Sequence, residues 1–170
     1  MFKIPIDFDE NEWFILLVLT SMIVFYIIMP KKLPGTLTLL MMLFYAFLGR
    51  IADFILAFDY PFNLYDTMDT SSYDLFDFIT YSTVYPLYGF FFANFYYSWN
   101  LKGFYRVVYI IVWVLMSLFF EYIAIYFQVF HFNGWNLFYS FIVYVVVFIL
   151  IVLYLELTIK WYKQETLRGS

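Results

Sequence analysis

The chain has 170 residues, 65% of them hydrophobic and 13% charged, with a net charge of −4. A soluble domain of that length cannot hide so much apolar surface, so the solvent for most of it must be lipid. The absence of cysteine and the presence of one histidine, His131, exclude disulfides, thiolate metal sites and a His-rich zinc centre, and acidity without a basic patch excludes a nucleic-acid partner.

Five apolar segments run along the chain, at roughly 13–29, 36–58, 75–98, 104–127 and 137–159. Each is close to the ~20 residues that cross a bilayer, and each must be helical because lipid cannot satisfy bare backbone groups. The predicted fold is all-α: one integral membrane domain over 1–170, a polytopic bundle of five transmembrane helices. Before the first helix, Asp9 and Glu12 have the spacing of a capping box. Asp7, Asp9, Glu10 and Glu12 stand where a signal peptide carries positive charge, so this segment is read as a retained helix. Pro30, Pro34 and Gly35 separate it from the second segment, and Pro61 with "DTMDTSS" separates the second from the third. Ser71 and Asp74 make a second, weaker capping box. Pro86, followed by Gly89, predicts a kink midway along the third helix, with Ser82 or Thr83 satisfying a freed carbonyl. "WNLKG" and "FNGWN" mark the last two turns; His131 is read as an interfacial side chain and Trp135 as an anchor for the fifth helix.

Orientation follows from the connections. Lys31, Lys32, Lys102, Arg106, Lys160, Lys163 and Arg168 fall on one side and Lys3 on the other. The positive-inside rule then puts the N-terminus outside and the C-terminus in the cytoplasm, as an odd number of crossings requires. The outer face is acidic, with Asp7, Asp9, Glu10, Glu12, Asp59, Asp66, Asp69 and Asp74. "DTMDTSSYD" lacks the alternating acids and glycine of a calcium loop. Two equal halves, the usual plan of secondary transporters, are not visible.

The charges inside the apolar segments are the candidates for function. Arg50 and Asp53 are three apart and share a helix face with Ala46, Gly49 and Ala57, a stripe that suits contact with other helices. Asp77 lies just inside the third helix, Glu121 near the outer end of the fourth, and Ser140 and Tyr144 in the outer half of the fifth. Four ionisable groups, Arg50, Asp53, Asp77 and Glu121, are thus expected at one level. Arg50 can neutralise one carboxylate or fork between two, and the remaining negative charge calls for water, a proton or a bound cation. Glu156 stands apart near the inner end, one turn from Lys160, with which it can pair. Aromatic residues, 28% of the chain, are spread throughout and are read as interfacial belts rather than a ligand cage.

"PIDFDENEWFILL", "FNLYDTMDTSSYDLFDFITY" and "FEYIAIYFQVFHFNGWNLFYSF" carry a resemblance. The positions concerned are Tyr65, Asp66, Asp69, Tyr73, Asp74, Phe76 and Asp77, then Glu121, Tyr122, Trp135, Tyr139 and Ser140. Over most of its length the chain resembles small multi-pass membrane proteins of unknown function from endospore-forming Firmicutes, the bacilli and clostridia. That resemblance implies a bacterial plasma membrane and no particular chemistry.

The expected function is ligand or ion binding in an outward-facing acidic and polar pocket formed by Arg50, Asp53, Asp77, Glu121, Ser140 and Tyr144, beside an outer acidic loop with Asp66, Asp69 and Asp74. Its ligand would be a cation, a proton or a small polar molecule. The alternatives are an accessory or scaffold protein whose buried charges are a structural lock, and a membrane enzyme acting on a lipid or isoprenoid. The enzyme reading is the weakest, since no nucleophile–base pair is visible. No catalytic residue, metal or cofactor is expected. Partners are the bilayer and either a second copy or another membrane protein.

Overall fold

The computed structural model describes residues 8–57, 63–68 and 74–168. Asp7, Asp59, Asp69, Ser71 and Tyr73 lie outside the described residues, as does Lys3. Helix α1 (Glu10–Ile28) starts at the predicted capping box: the Asn11 amide donates to Asp9 Oδ1 at 3.1 Å and the Asp9 amide to Glu12 Oε2 at 2.9 Å. Helix α2 (Gly35–Leu56) follows the prolines.

The third segment is where structure and expectation part. It begins at Asp74 as N-cap and is split into α3 (Leu75–Ile79), a π turn (Thr80–Val84) and α4 (Tyr85–Trp99). The capping box here is Asp74 with Asp77, the predicted partner Ser71 lying outside the described residues: the Asp77 amide donates to Asp74 Oδ1 at 2.8 Å, and the Asp74 amide to Asp77 Oδ2 at 3.1 Å. Proline supplies no N–H and its ring crowds the carbonyl four residues back, so the chain widens by one residue per turn before Pro86. The Ser82 and Thr83 hydroxyls lie 3.4 Å from each other, and neither caps a freed carbonyl as predicted.

Helix α4 is the centre of the molecule. Phe90, Phe92 and Ala93 are wholly buried there, in a core shared with Leu37 and Met41 of α2 and Phe148, Ile151 and Leu155 further along the chain. Its closest neighbour is α2, because Gly89 lets the Tyr45 ring lie on the backbone; a Cβ there would run into that ring. Asn100 closes α4 in the left-handed conformation. Helix α5 (Phe104–Tyr126) packs on α6 (Leu137–Arg168), and Asn136 caps α6 by accepting from the amides of Phe138 and Tyr139 at 3.0 and 3.2 Å.

Two further corrections concern α6 and the loops. The last helix continues from the predicted 159 to Arg168; its 32 residues measure about 48 Å, more than a bilayer's ~30 Å of hydrocarbon. The segment 160–168 is exposed, and its polar residues are good helix formers, so the helix outlasts the apolar run. His131 is not on a turn. It lies in β2 (Phe130–Phe132), which pairs antiparallel with β1 (Tyr65–Thr67) in the register Tyr65↔Phe132, Asp66↔His131, Thr67↔Phe130. The Leu64 carbonyl extends the ribbon by accepting from the amides of Asn133 and Trp135 at 2.8 and 3.2 Å.

Among the described residues four helices, α1, α2, α5 and α6, are long and apolar enough to cross a membrane.

Candidate functional site

The predicted cluster of four charges separates into distinct places. Arg50 pairs with Asp53 at 3.8 Å and lies over the Tyr81 ring, 5.3 Å from its centre. Its side chain is 46% exposed and that of Asp53 14%, so Arg50 sits at the rim rather than inside, as a long snorkelling side chain does. Tyr65 and Tyr81 turn their hydroxyls toward Asp53. Asp77 is the N3 partner of a helix cap, with Thr67 beside it. Asp66, on the ribbon, accepts from Asn133 Nδ2 at 2.5 Å, and Asp74 is the cap itself.

Glu121, Ser140 and Tyr144 do come together, at a cavity of about 260 Å³. Trp135 Nε1–H donates to Ser140 Oγ at 2.8 Å, and Ser140 donates to Glu121 Oε1 at 2.6 Å. An indole has no acceptor, so the sense of this chain is set. The Tyr144 hydroxyl lies close to the same carboxyl. Glu121 is 8% exposed, and its Oε2 has no hydrogen-bond partner; neither has the Tyr45 hydroxyl, also in the cavity wall. Arg50, Asp53, Asp66, Asp74 and Asp77 do not line the cavity.

The wall is mainly apolar and aromatic, unlike the acidic pocket expected. Helix α1 contributes Phe14, Ile15, Val18 and Met22, and the ribbon covers one end with Tyr65, Phe130 and Phe132. Side chains alternate along a strand, so His131, between the two phenylalanines, faces away. Burial and the nearby Asp53 charge push the Tyr65 phenol up, which keeps it a neutral donor. Tyr81, Tyr85 and Tyr88 line the wall from the π turn and α4. Their spacing of four and three is a helix-face signal that the evenly spread aromatic content hid. Gly49 seats the Tyr85 ring, since a Cβ there would overlap it. Tyr88 and Ser117 share a hydrogen bond of 2.8 Å. Asp53, Asp77 and Glu121 all act on the Tyr85 phenol, so the three carboxylates share a neighbourhood though not a cavity.

Two other polar sites lie away from the cavity. Glu156 pairs across helices with Arg106, not with Lys160, and accepts from the Tyr96 hydroxyl at 2.7 Å. Asn94, 2% exposed, accepts from the Lys32 and Leu33 amides at 2.7 and 3.0 Å and donates to the Pro30 carbonyl at 3.1 Å.

Helices long and apolar enough to cross a membrane, around an aromatic cavity, are the features of an aromatic-rich helical membrane protein. No family model, no curated protein and no solved structure matches this chain.

Proposed function

We propose that this protein is a five-crossing plasma-membrane protein, bacterial and with its C-terminus in the cytoplasm, whose intramembrane cavity binds a small ligand through Glu121. The fifth crossing is the continuous helical stretch Leu75–Trp99, about 38 Å long at ~1.5 Å per residue. Its central position explains why it tolerates less lipid-like composition than the others. The basic residues of the Pro30–Gly35 and Asn100–Gly103 turns and of the α6 extension support the orientation.

One observation carries the binding reading: the buried carboxylate Glu121 lines a 260 Å³ cavity whose described wall residues include no cationic side chain to pair with it. A buried carboxylate held only for structure is expected to be paired with a cation. The test compares melting of the wild type and Glu121→Gln in mild detergent at several pH values. Gln retains the acceptor for Ser140 and removes the charge, so the variant is expected to melt at or above the wild-type temperature. Breaking a structural buried pair would instead cost about 3–5 kcal/mol, on the order of ten degrees in Tm, and that result would replace binding with a structural lock.

A further inference from the structure

We propose that the occupant of the Glu121 cavity is a monovalent organic cation, an amine or quaternary ammonium with a flat apolar body, which exchanges with a proton on Glu121. The proposal rests on the ligand-binding reading above and names the class of ligand.

Among the described residues the cavity wall holds one carboxylate and no basic side chain, so it disfavours an anion and suits a single positive charge. A bare metal ion is a poor fit. Hard cations take six or more oxygens, and among the described residues no three His, Asp or Glu side chains cluster to hold one. A wholly apolar ligand would fill the volume but leave Glu121 Oε2 unsatisfied. An ammonium joined to a flat body meets both demands. Its charge faces the carboxylate and the tyrosine rings, whose faces attract cations, and its body contacts Ile15, Val18 and Leu48. The Trp135–Ser140 chain occupies Oε1, so Oε2, buried with the Tyr144 hydroxyl near the same carboxyl, is the oxygen that a side-chain shift would turn to the newcomer.

Proton and cation compete for that oxygen. When Glu121 is protonated, binding breaks its O–H bond, the proton leaves to water, and the carboxylate pairs with the cation. The titratable groups that line the cavity with Glu121 are phenols, which stay neutral near neutral pH. Tyr144 of α6, Tyr85 and Tyr88 of α4 and Tyr65 of β1 are phenols. Asp53 and Asp77 act on the same tyrosines from outside the cavity, Glu12 of α1 takes part in its own helix cap, and His131 of β2 faces away.

The experiment is calorimetric titration of the purified protein in detergent, from about pH 5 to 9. The probes are benzyltrimethylammonium and its uncharged carbon isostere, neopentylbenzene. The ammonium is expected to bind at least tenfold more tightly than the isostere at the alkaline end. Its affinity should fall about tenfold per pH unit once Glu121 is protonated, with about one proton released per cation there. Repeating the titration in two buffers of different ionisation enthalpy counts that proton. Glu121→Gln is expected to bring ammonium binding down to the level of the isostere and to remove its pH dependence. Equal binding of both probes, unmoved by the substitution, would overturn the cation proposal while leaving the cavity a ligand site. If neither probe binds, the class is wrong; the melting comparison then decides the broader reading, which falls too if Glu121→Gln melts far lower. Should Glu121→Gln not fold, the wild-type proton count decides, and zero protons released overturns the exchange.

Discussion

Asn94→Leu should unfasten the inner end of the bundle. The two side chains have similar volume, so the change removes hydrogen bonds more than packing. The Leu33 amide, on a residue 5% exposed, loses its acceptor at 3.0 Å, and an unpartnered buried donor costs about 1–3 kcal/mol. The Lys32 amide and the Pro30 carbonyl lose partners too, but Lys32 and Pro30 are exposed and water replaces part of the loss. The expected total is about 2–4 kcal/mol, or roughly 4–16 °C in Tm for a domain of this size. Tryptophan fluorescence during unfolding in mixed micelles, with rising SDS fraction in dodecyl maltoside, would measure it. Ser98→Ala is the control, since it removes only an exposed hydroxyl bond back to the Asn94 carbonyl. A loss under about 0.5 kcal/mol for Asn94→Leu, no larger than the control, would refute the idea that one buried amide holds the α1–α2 turn.

Gly89→Leu should destabilise by about 1–3 kcal/mol or more, seen as a lower melting temperature, because the new side chain meets the Tyr45 ring between α2 and α4. Gly49→Ala should keep the fold but displace Tyr85 in the cavity wall, weakening benzyltrimethylammonium binding severalfold in calorimetry. A double-mutant cycle with Arg106→Gln and Glu156→Gln should give a coupling of only about 0.5–1 kcal/mol, since both side chains are about one-third exposed. The chain has no cysteine, so single replacements report topology cleanly: Gln128→Cys should react with an impermeant maleimide on intact cells, and Gln164→Cys only after permeabilisation.

What could be read from the residues was what depends on near neighbours or on bulk hydropathy. The Asp9–Glu12 cap is three residues wide; α1, α2 and α5 start and stop within a few residues of their apolar runs, and α6 starts with its run. Asp77 was misplaced for a related reason. A carboxylate inside an apolar segment reads as an intramembrane charge, yet the same residue three after Asp74 is an ordinary cap partner. The end of α6 was missed because hydropathy marks where lipid ends, not where helix ends. Three-residue strands have no periodicity to detect, so β1 and β2 were invisible, and with them the cover over the cavity. Of the six pocket candidates, Glu121, Ser140 and Tyr144 share the cavity because α5 and α6 pack directly. Arg50, Asp53 and Asp77 lie outside its wall, a distinction that only helix rotation and side-chain direction make.

The β1–β2 ribbon has a consequence for biogenesis. Its strands lie on either side of α3–α4 and α5, so they cannot meet until both helical segments have been synthesised and are in place. Pairing across so long a stretch carries a loop-closure cost that only a nearly assembled bundle offsets. The ribbon is therefore a late event, and the cavity exists only afterwards, since Tyr65, Phe130 and Phe132 form part of its wall. A chain halted after α4 would hold the central helix and most of its core against α2, yet have no ligand site. Binding competence would thus report completed insertion, appearing abruptly when the last helix takes its place.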